Sequence, residues 1–387
     1  MFSQRTSWSL TANVLTQTRA EVERSGPVID LTVSNPTVCG LHEHGDELLA
    51  ALKDPAGMTY EPFSRGLLSA RRSLAQYYGR QGIAVDPEHI VLTASTSEAY
   101  AFVFRLLADA GDRIAFPRPS YPLFDFLAGL NDVELADYAL RFDGRWSVDF
   151  EQLSGVLRGV KALALVNPNN PTGSYITSRE LKRINSLCAG RGVALISDEV
   201  FQEFTLDGQP DKVTLAGNPD VLTFTLGGLS KTLALPQMKL SWILVSGPPA
   251  QREDALARLE VIADTYLSVN TPVQQALGRW LELQPRIHDA VSRRIKDNLA
   301  ALRQAFGPSV LPAEGGWYAV IRLPESRSEE EWIMTWLTED RVFVHPGYFF
   351  DFNEEPFAVV SLLPEPPQFK DGVTRMAKRT MTLNPKP

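Results

Sequence analysis

Between residues 90 and 245 the chain alternates short apolar runs with helical patterns, and this alternation constrains its fold more than any other feature. Ile90 to Thr93, Arg113 to Phe116, Val133 to Tyr138, Ala162 to Val166, Val193 to Ile196, Val221 to Leu226 and Leu240 to Val245 read as strands. Ser97 to Ala108, Tyr121 to Leu130, Ser178 to Ala189 and Gln251 to Tyr266 read as helices. Repeated strand-then-helix units predict an α/β fold with a mostly parallel mixed sheet flanked by helices. Ligands of such sheets bind beyond the carboxyl ends of the strands. Ser97, Asn170, Asp198 and Lys231 all fall at such ends.

Four short segments follow apolar runs in a fixed order: Asn167-Pro168-Asn169-Asn170-Pro171-Thr172-Gly173, then Ser197-Asp198-Glu199, then Ser230-Lys231, then Lys239. They bring an amide, a carboxylate, an amine and a second cation to one sheet rim. A lysine can hold an aldehyde cofactor as a Schiff base and, once displaced by a substrate amine, move protons as a general base. A carboxylate facing a pyridine nitrogen keeps it protonated, so that the ring accepts electrons from a substrate carbanion. An amide orients the ring without adding charge. Lys231, Asp198 and Asn170 are the candidates for these roles, and the grouping suits a pyridoxal 5'-phosphate site. Taken alone, Lys231 reads as a surface charge, Asp198 as a helix cap and the Asn-Pro segment as a turn. Their order and spacing favour the cofactor reading.

Through N-P-x-N-P-T-G and the ordered aspartate and lysine segments the chain resembles the class I/II aminotransferases of fold type I, the aspartate aminotransferase superfamily. The similarity runs from Ile29-Asp30-Leu31 to Ser361-Leu362-Leu363-Pro364. It implies a homodimer in which Tyr60 reaches the partner's cofactor phosphate, a phosphate loop at Thr93 to Ala99 with Ser95, Thr96 and Ser97, and Tyr121 stacked on the pyridine ring. It also implies a small α+β domain built from the N-terminal segment (1–44) and the C-terminal part (281–387), set against a large cofactor-binding domain (45–280). In the family, bound substrate draws the small domain over the site. The loop reading also has a physical basis, because hydroxyls cluster where the strand Ile90 to Thr93 meets a helix start. Free amides and the positive end of the helix dipole would meet a phosphate there.

Departures from the family pattern bear on chemistry. Phe201 stands three residues after Asp198, where the family has a tyrosine that donates to the ring oxygen. Gly228 replaces the first serine of S-x-S-K, leaving Ser230 to compensate, and Lys239 replaces an arginine, keeping the charge without the bidentate fork. In Ala358-Val359-Val360-Ser361, Val359 falls where the family's R-x-S arginine clamps the substrate carboxylate. Arg322, Arg118 and Arg65 are the candidates to replace it. Otherwise the carboxylate is held differently or is absent.

A net charge of −8 gives no basic field for nucleic acid or anionic lipid, and no run approaches the roughly 20 apolar residues of a spanning helix. Met1 to Asn13 resemble neither a secretory signal nor an anchor. Cys39 and Cys188 match no metal spacing and read as reduced structural residues, and the five histidines show no zinc-protease spacing. We expect no metal, no nucleic-acid or membrane partner, and a cytoplasmic location. The leading expectation is amino-group transfer from an amino acid to a 2-oxo acid. The alternatives are a lyase, decarboxylase or cyclase using the same cofactor, or a ligand-sensing protein of the same fold without catalysis.

Overall fold

The computed structural model describes residues 1–41, 44–208, 210–353 and 356–384. Its strands, in chain order, are β1 (Ile29–Asp30), β2 (Ile90–Thr93), β3 (Arg113–Arg118), β4 (Glu134–Phe142), β5 (Trp146–Val148), β6 (Val160–Val166), β7 (Ala194–Asp198), β8 (Thr223–Gly228), β9 (Ser241–Ser246), β10 (Tyr318–Arg322), β11 (Val342–Phe343), β12 (His345–Pro346) and β13 (Phe357–Ser361). Eight of them form one sheet in the order β2-β9-β8-β7-β6-β3-β4-β5. The pairings from β8 through β7, β6 and β3 to β4 are parallel, whereas β2 with β9, β9 with β8, and β4 with β5 are antiparallel.

The central strands are apolar on both faces because both are covered. Along β6, Ala162, Ala164 and Val166 face a core shared with the helices Thr96–Leu107, Leu123–Leu130 and Pro249–Tyr266. Leu163 and Leu165 point into the core on the other side, which reflects the two-residue period of a strand. The helix Ser178–Ala189 starts where a capping box stops the preceding loop: Thr177 Oγ1 accepts from Glu180 N at 3.2 Å, and the Glu180 carboxylate accepts from Thr177 N at 2.9 Å.

All seven expected strands are present, with most ends displaced by one or more residues. The largest change is β4, which continues to Phe142 so that it can fold back on β5. The reversal passes Gly144 at φ +97°, and β5 is too short to leave a periodic signal. Residues Thr271–Phe306 form one long helix with Pro285 in its interior. The expected boundary at 280/281 falls inside this helix. Beyond it, β10, β13 and β12 form a three-stranded antiparallel sheet. The N-terminal β1 pairs in parallel with β11, so the chain's beginning is fixed to its last third.

One close approach within the large sheet yields a test. A Cβ at Gly227 of β8 would lie 2.5 Å from the ring of Trp242 in β9. That ring cannot yield easily, since its Nε1 donates to Tyr78 Oη at 2.9 Å and Tyr77 packs edge-on against it. Gly227→Ala is expected to destabilise the protein by about 1–3 kcal/mol, as overpacking does, and to lower its thermal midpoint. An unchanged midpoint would show that the β8–β9 contact is looser than the geometry indicates.

Candidate active site

Strand order places the polar segments together. β6 and β7 run in parallel with Val166 opposite Asp198, and β7 and β8 run in parallel with Asp198 opposite Leu226. Asp198 is the last residue of β7, and Lys231 lies in the short helix Leu229–Thr232 that follows β8. Asn170 sits in the turn after β6. Two other asparagines of that turn are used to build it. Asn167 Nδ2 donates to Val213 O at 2.7 Å and its Oδ1 accepts from Ile176 N at 3.0 Å. Asn169 Nδ2 donates to Pro119 O at 3.2 Å, while its Oδ1 accepts from Thr172 Oγ1 at 2.9 Å. Asn170 alone of the three lines the cleft, and its buried Oδ1 has no partner among the described residues.

The cleft has a volume of about 360 Å³. It brings together Ser95, Thr96, Ser97, Tyr121, Asn170, Asp198, Ser230, Lys231 and Lys239. At one end the helix Thr96–Leu107 presents its N-terminus: Ser95 caps it by accepting from Glu98 N at 3.1 Å, and the Glu98 carboxylate accepts from Ala94 N at 2.6 Å. Lys239 and Ser230 stand on the same cleft. The end is therefore built for an anion, with amides, hydroxyls and one ammonium.

At the other end, desolvation dominates. Burial raises the Asp198 carboxyl to about 6, against a hydrogen bond from Val200 N, one from Tyr100 Oη at 3.2 Å, and the attraction of Lys231. Burial also lowers the Lys231 amine to about 8, partly offset by Asp198. The amine lies 4.9 Å from the centre of the Trp317 ring and 5.3 Å from that of Phe201. Beside the position where a hydroxyl donor was expected stands an apolar wall, Phe201 edge-on to Trp317 and Tyr318.

Several placements differ from the sequence reading. Tyr60 is 61 % exposed and does not line the cleft of its own chain. None of the arginines proposed to replace the carboxylate clamp lines it either. Arg118 is ion-paired to Asp125, Asp137 and Asp351, because the folding of β3 beside β4 surrounds it with carboxylates. Arg65 pairs with Glu260, and Arg322 is exposed over the rings of Phe142 and Phe357. Val359 is fully buried in β13. Tyr100, Ser34 and Tyr318 line the cleft but carry no local motif that would have singled them out. A separate apolar cavity, bordered by Leu48, Leu233, Met238 and Ile287, contains none of the chemistry-bearing segments.

Residues 27–361 match the family described as aminotransferase class I and II. The glutamate-pyruvate aminotransferase AlaA of Haemophilus influenzae is 24% identical over 380 residues, covering 92% of this chain and 91% of that protein. Human tyrosine aminotransferase is 30% identical over 346 residues, covering 84% and 75%. Among solved structures, an alanine aminotransferase from Pyrococcus furiosus superposes with a TM-score of 0.89 at 22% identity, covering 99% and 100%. The chain belongs to the class I and II aminotransferase family, fold type I enzymes that transfer amino groups with pyridoxal 5'-phosphate. The residues present fit that cofactor: a half-buried amine, a buried carboxylate, an amide end without a partner among the described residues, and a helix start with hydroxyls and amides all face one cleft.

The raised Asp198 carboxyl predicts a pH effect on the cofactor-free protein. Folding favours its protonated form, so the stability cost of ionising it is absent below its ordinary value of 3.8 and fully developed above about 6. Asp198→Asn carries no such cost and keeps an acceptor for Val200 N. The variant should therefore gain on wild type as pH rises from 4 to 6, by up to roughly 3 kcal/mol, in denaturant or thermal unfolding. A stability difference that stays flat across this range would contradict the desolvated setting described for Asp198.

Proposed function

We propose that the protein moves an amino group from an amino acid to a 2-oxo acid, with Lys231 Nζ as the covalent attachment point for the cofactor aldehyde and as the proton carrier. The observation that supports this most is the pair of opposite charges, buried Asp198 and half-buried Lys231, delivered by neighbouring parallel strands to one cleft. When bound, pyridoxal 5'-phosphate supplies an aldehyde for amine exchange and a protonated ring that draws electrons from the amine-bearing carbon.

The chain's own residues divide the remaining work. Asp198, ionised against the ring nitrogen and held in orientation by Tyr100, keeps that nitrogen protonated. Ser95, Thr96, Ser97, Ser230 and Lys239 would hold the cofactor's phosphate, Tyr121 would pack against its ring, and Asn170 would donate to it without the help of a hydroxyl at position 201. Burial lowers the Lys231 ammonium to about 8, which favours the free-base form able to take up a proton at Nζ. The aromatic rings of Phe201 and Trp317 cover one side of that nitrogen.

We further propose a homodimer in which Tyr60 completes the partner's phosphate site. Support comes from its exposure beside the exposed Met58 and Phe63. In our reading the small domain comprises 1–44 and 281–387, the large domain comprises 45–280, and the protein works in the cytoplasm. The buried, unpaired Cys39 and Cys188 suit a reducing compartment.

Borohydride reduction of the holoenzyme followed by peptide mapping is expected to place the cofactor label on Lys231. Lys231→Ala should lose the label and at least about a hundredfold in turnover. A label on another lysine would overturn the assignment. Sedimentation is expected to show a dimer, and Tyr60→Phe should weaken cofactor binding roughly tenfold, as the loss of a charge-assisted hydrogen bond does. A monomer that binds the cofactor with unchanged affinity would remove Tyr60 from the site.

A further inference from the structure

The cleft is short of positive charge for a substrate anion. Among the described residues that line it, the cations are Lys231 and Lys239, and the reading above commits both to the cofactor. Arg118 is held at 2.7 to 3.0 Å by Asp125, Asp137 and Asp351. Arg65 is 2.6 Å from Glu260 and donates to Glu88 O at 3.1 Å. Arg322 lies outside, stacked over two phenylalanine rings. The strand β13 contributes Ala358, Val359 and Val360, all buried and apolar. A carboxylate entering this space meets no guanidinium, and an anion removed from water without a paired cation is strongly disfavoured.

The cleft offers a pair of neutral donors instead. Tyr318, at the start of β10, and Ser34, which follows β1, both line the cleft. Two segments distant in sequence therefore bring two hydroxyls to one place. That place adjoins the reacting amine, because Phe201 packs edge-on to Tyr318 at 6.3 Å and lies 5.3 Å below Lys231 Nζ. Each hydroxyl can donate one hydrogen to an acceptor oxygen. Around the pair the wall is apolar or aromatic, with Leu123, Phe124, Leu127 and Phe201.

We propose that Ser34 and Tyr318 anchor the group carried by the substrate's amine-bearing carbon, and that the site reads this group as a hydrogen-bond acceptor more than as an anion. The substrate class follows: amino compounds with an apolar or aromatic side chain, accepted with similar efficiency as the α-carboxylate or as the neutral α-amide. A second carboxylate in the side chain is disfavoured, since among the described residues lining the cleft no cation is left over to pair with it. This inference rests on the amino-transfer reading above and deepens it.

The test follows the cofactor absorbance of the holoenzyme in half-reactions with phenylalanine, phenylalanine amide and aspartate. Phenylalanine and its amide are expected to differ by less than tenfold in kcat/KM, with aspartate at least about a hundredfold slower. Tyr318→Phe and Ser34→Ala should each raise KM for both phenylalanine and its amide about tenfold, with kcat changed far less and the cofactor spectrum preserved. A preference above tenfold for phenylalanine over its amide would overturn the proposal, showing that a cation, from this chain or a second subunit, reaches the carboxylate. Unchanged KM in both variants would overturn the anchor assignment. No spectral change with any amine would defeat the amino-transfer reading itself, whereas a reaction confined to acids defeats only this inference.

Discussion

The meeting of two opposite charges, Asp198 buried and Lys231 half-buried, at the carboxyl ends of β7 and β8 is the condition on which the rest of the structure depends. Desolvation shifts each towards its neutral form, raising Asp198 to about 6 and lowering Lys231 to about 8, so at pH 7 each remains mainly charged and attracts the other. Neither would be tolerated in an interior without the other or without a ligand to use them. The parallel arrangement of β6, β7 and β8 is what makes their meeting possible, because parallel neighbours end on the same side. The long core on both faces of the sheet serves to hold those strand ends still.

The local chemistry of the site was legible in the sequence because each piece of it sits within a few residues of a strand end. Asn170, Asp198, Lys231 and the serines of the phosphate loop could be located from apolar runs followed by turn residues, and they line one cleft. Residues whose relevance arises from packing alone could not be found this way. Tyr100 lies inside a helix and becomes a partner of Asp198 only through the sheet order. Ser34 and Tyr318 are separated by most of the chain. The arginines failed as candidates for a related reason: charge count gives no information about which acids surround a guanidinium, and Arg118 is enclosed by three.

Arg118 also joins parts of the fold that are remote in the chain. It pairs with Asp125 and Asp137 near its own strand and with Asp351 in the turn before β13, while Ser120 N donates to Phe350 O at 2.9 Å. These contacts fasten the turn before β13 to β3 and β4, while the separate pairing of β1 with β11 ties the N-terminal segment to the C-terminal third. The position of Tyr318 relative to Lys231 therefore depends on polar attachments as well as on apolar packing.

The connection between Lys231 and β9 contains two non-glycine residues in the left-handed region, Ala234 at φ +54° and Lys239 at φ +51°. Such conformations cost about 1–2 kcal/mol each for residues with a β-carbon, and glycine or asparagine would relieve most of it. The strain is kept at the residue that supplies the cleft's second ammonium. A selection for heat resistance alone would be drawn to position 239 and would harden the scaffold there by discarding a positive charge of the cleft, so durability and the cleft's electrostatics pull this loop in opposite directions.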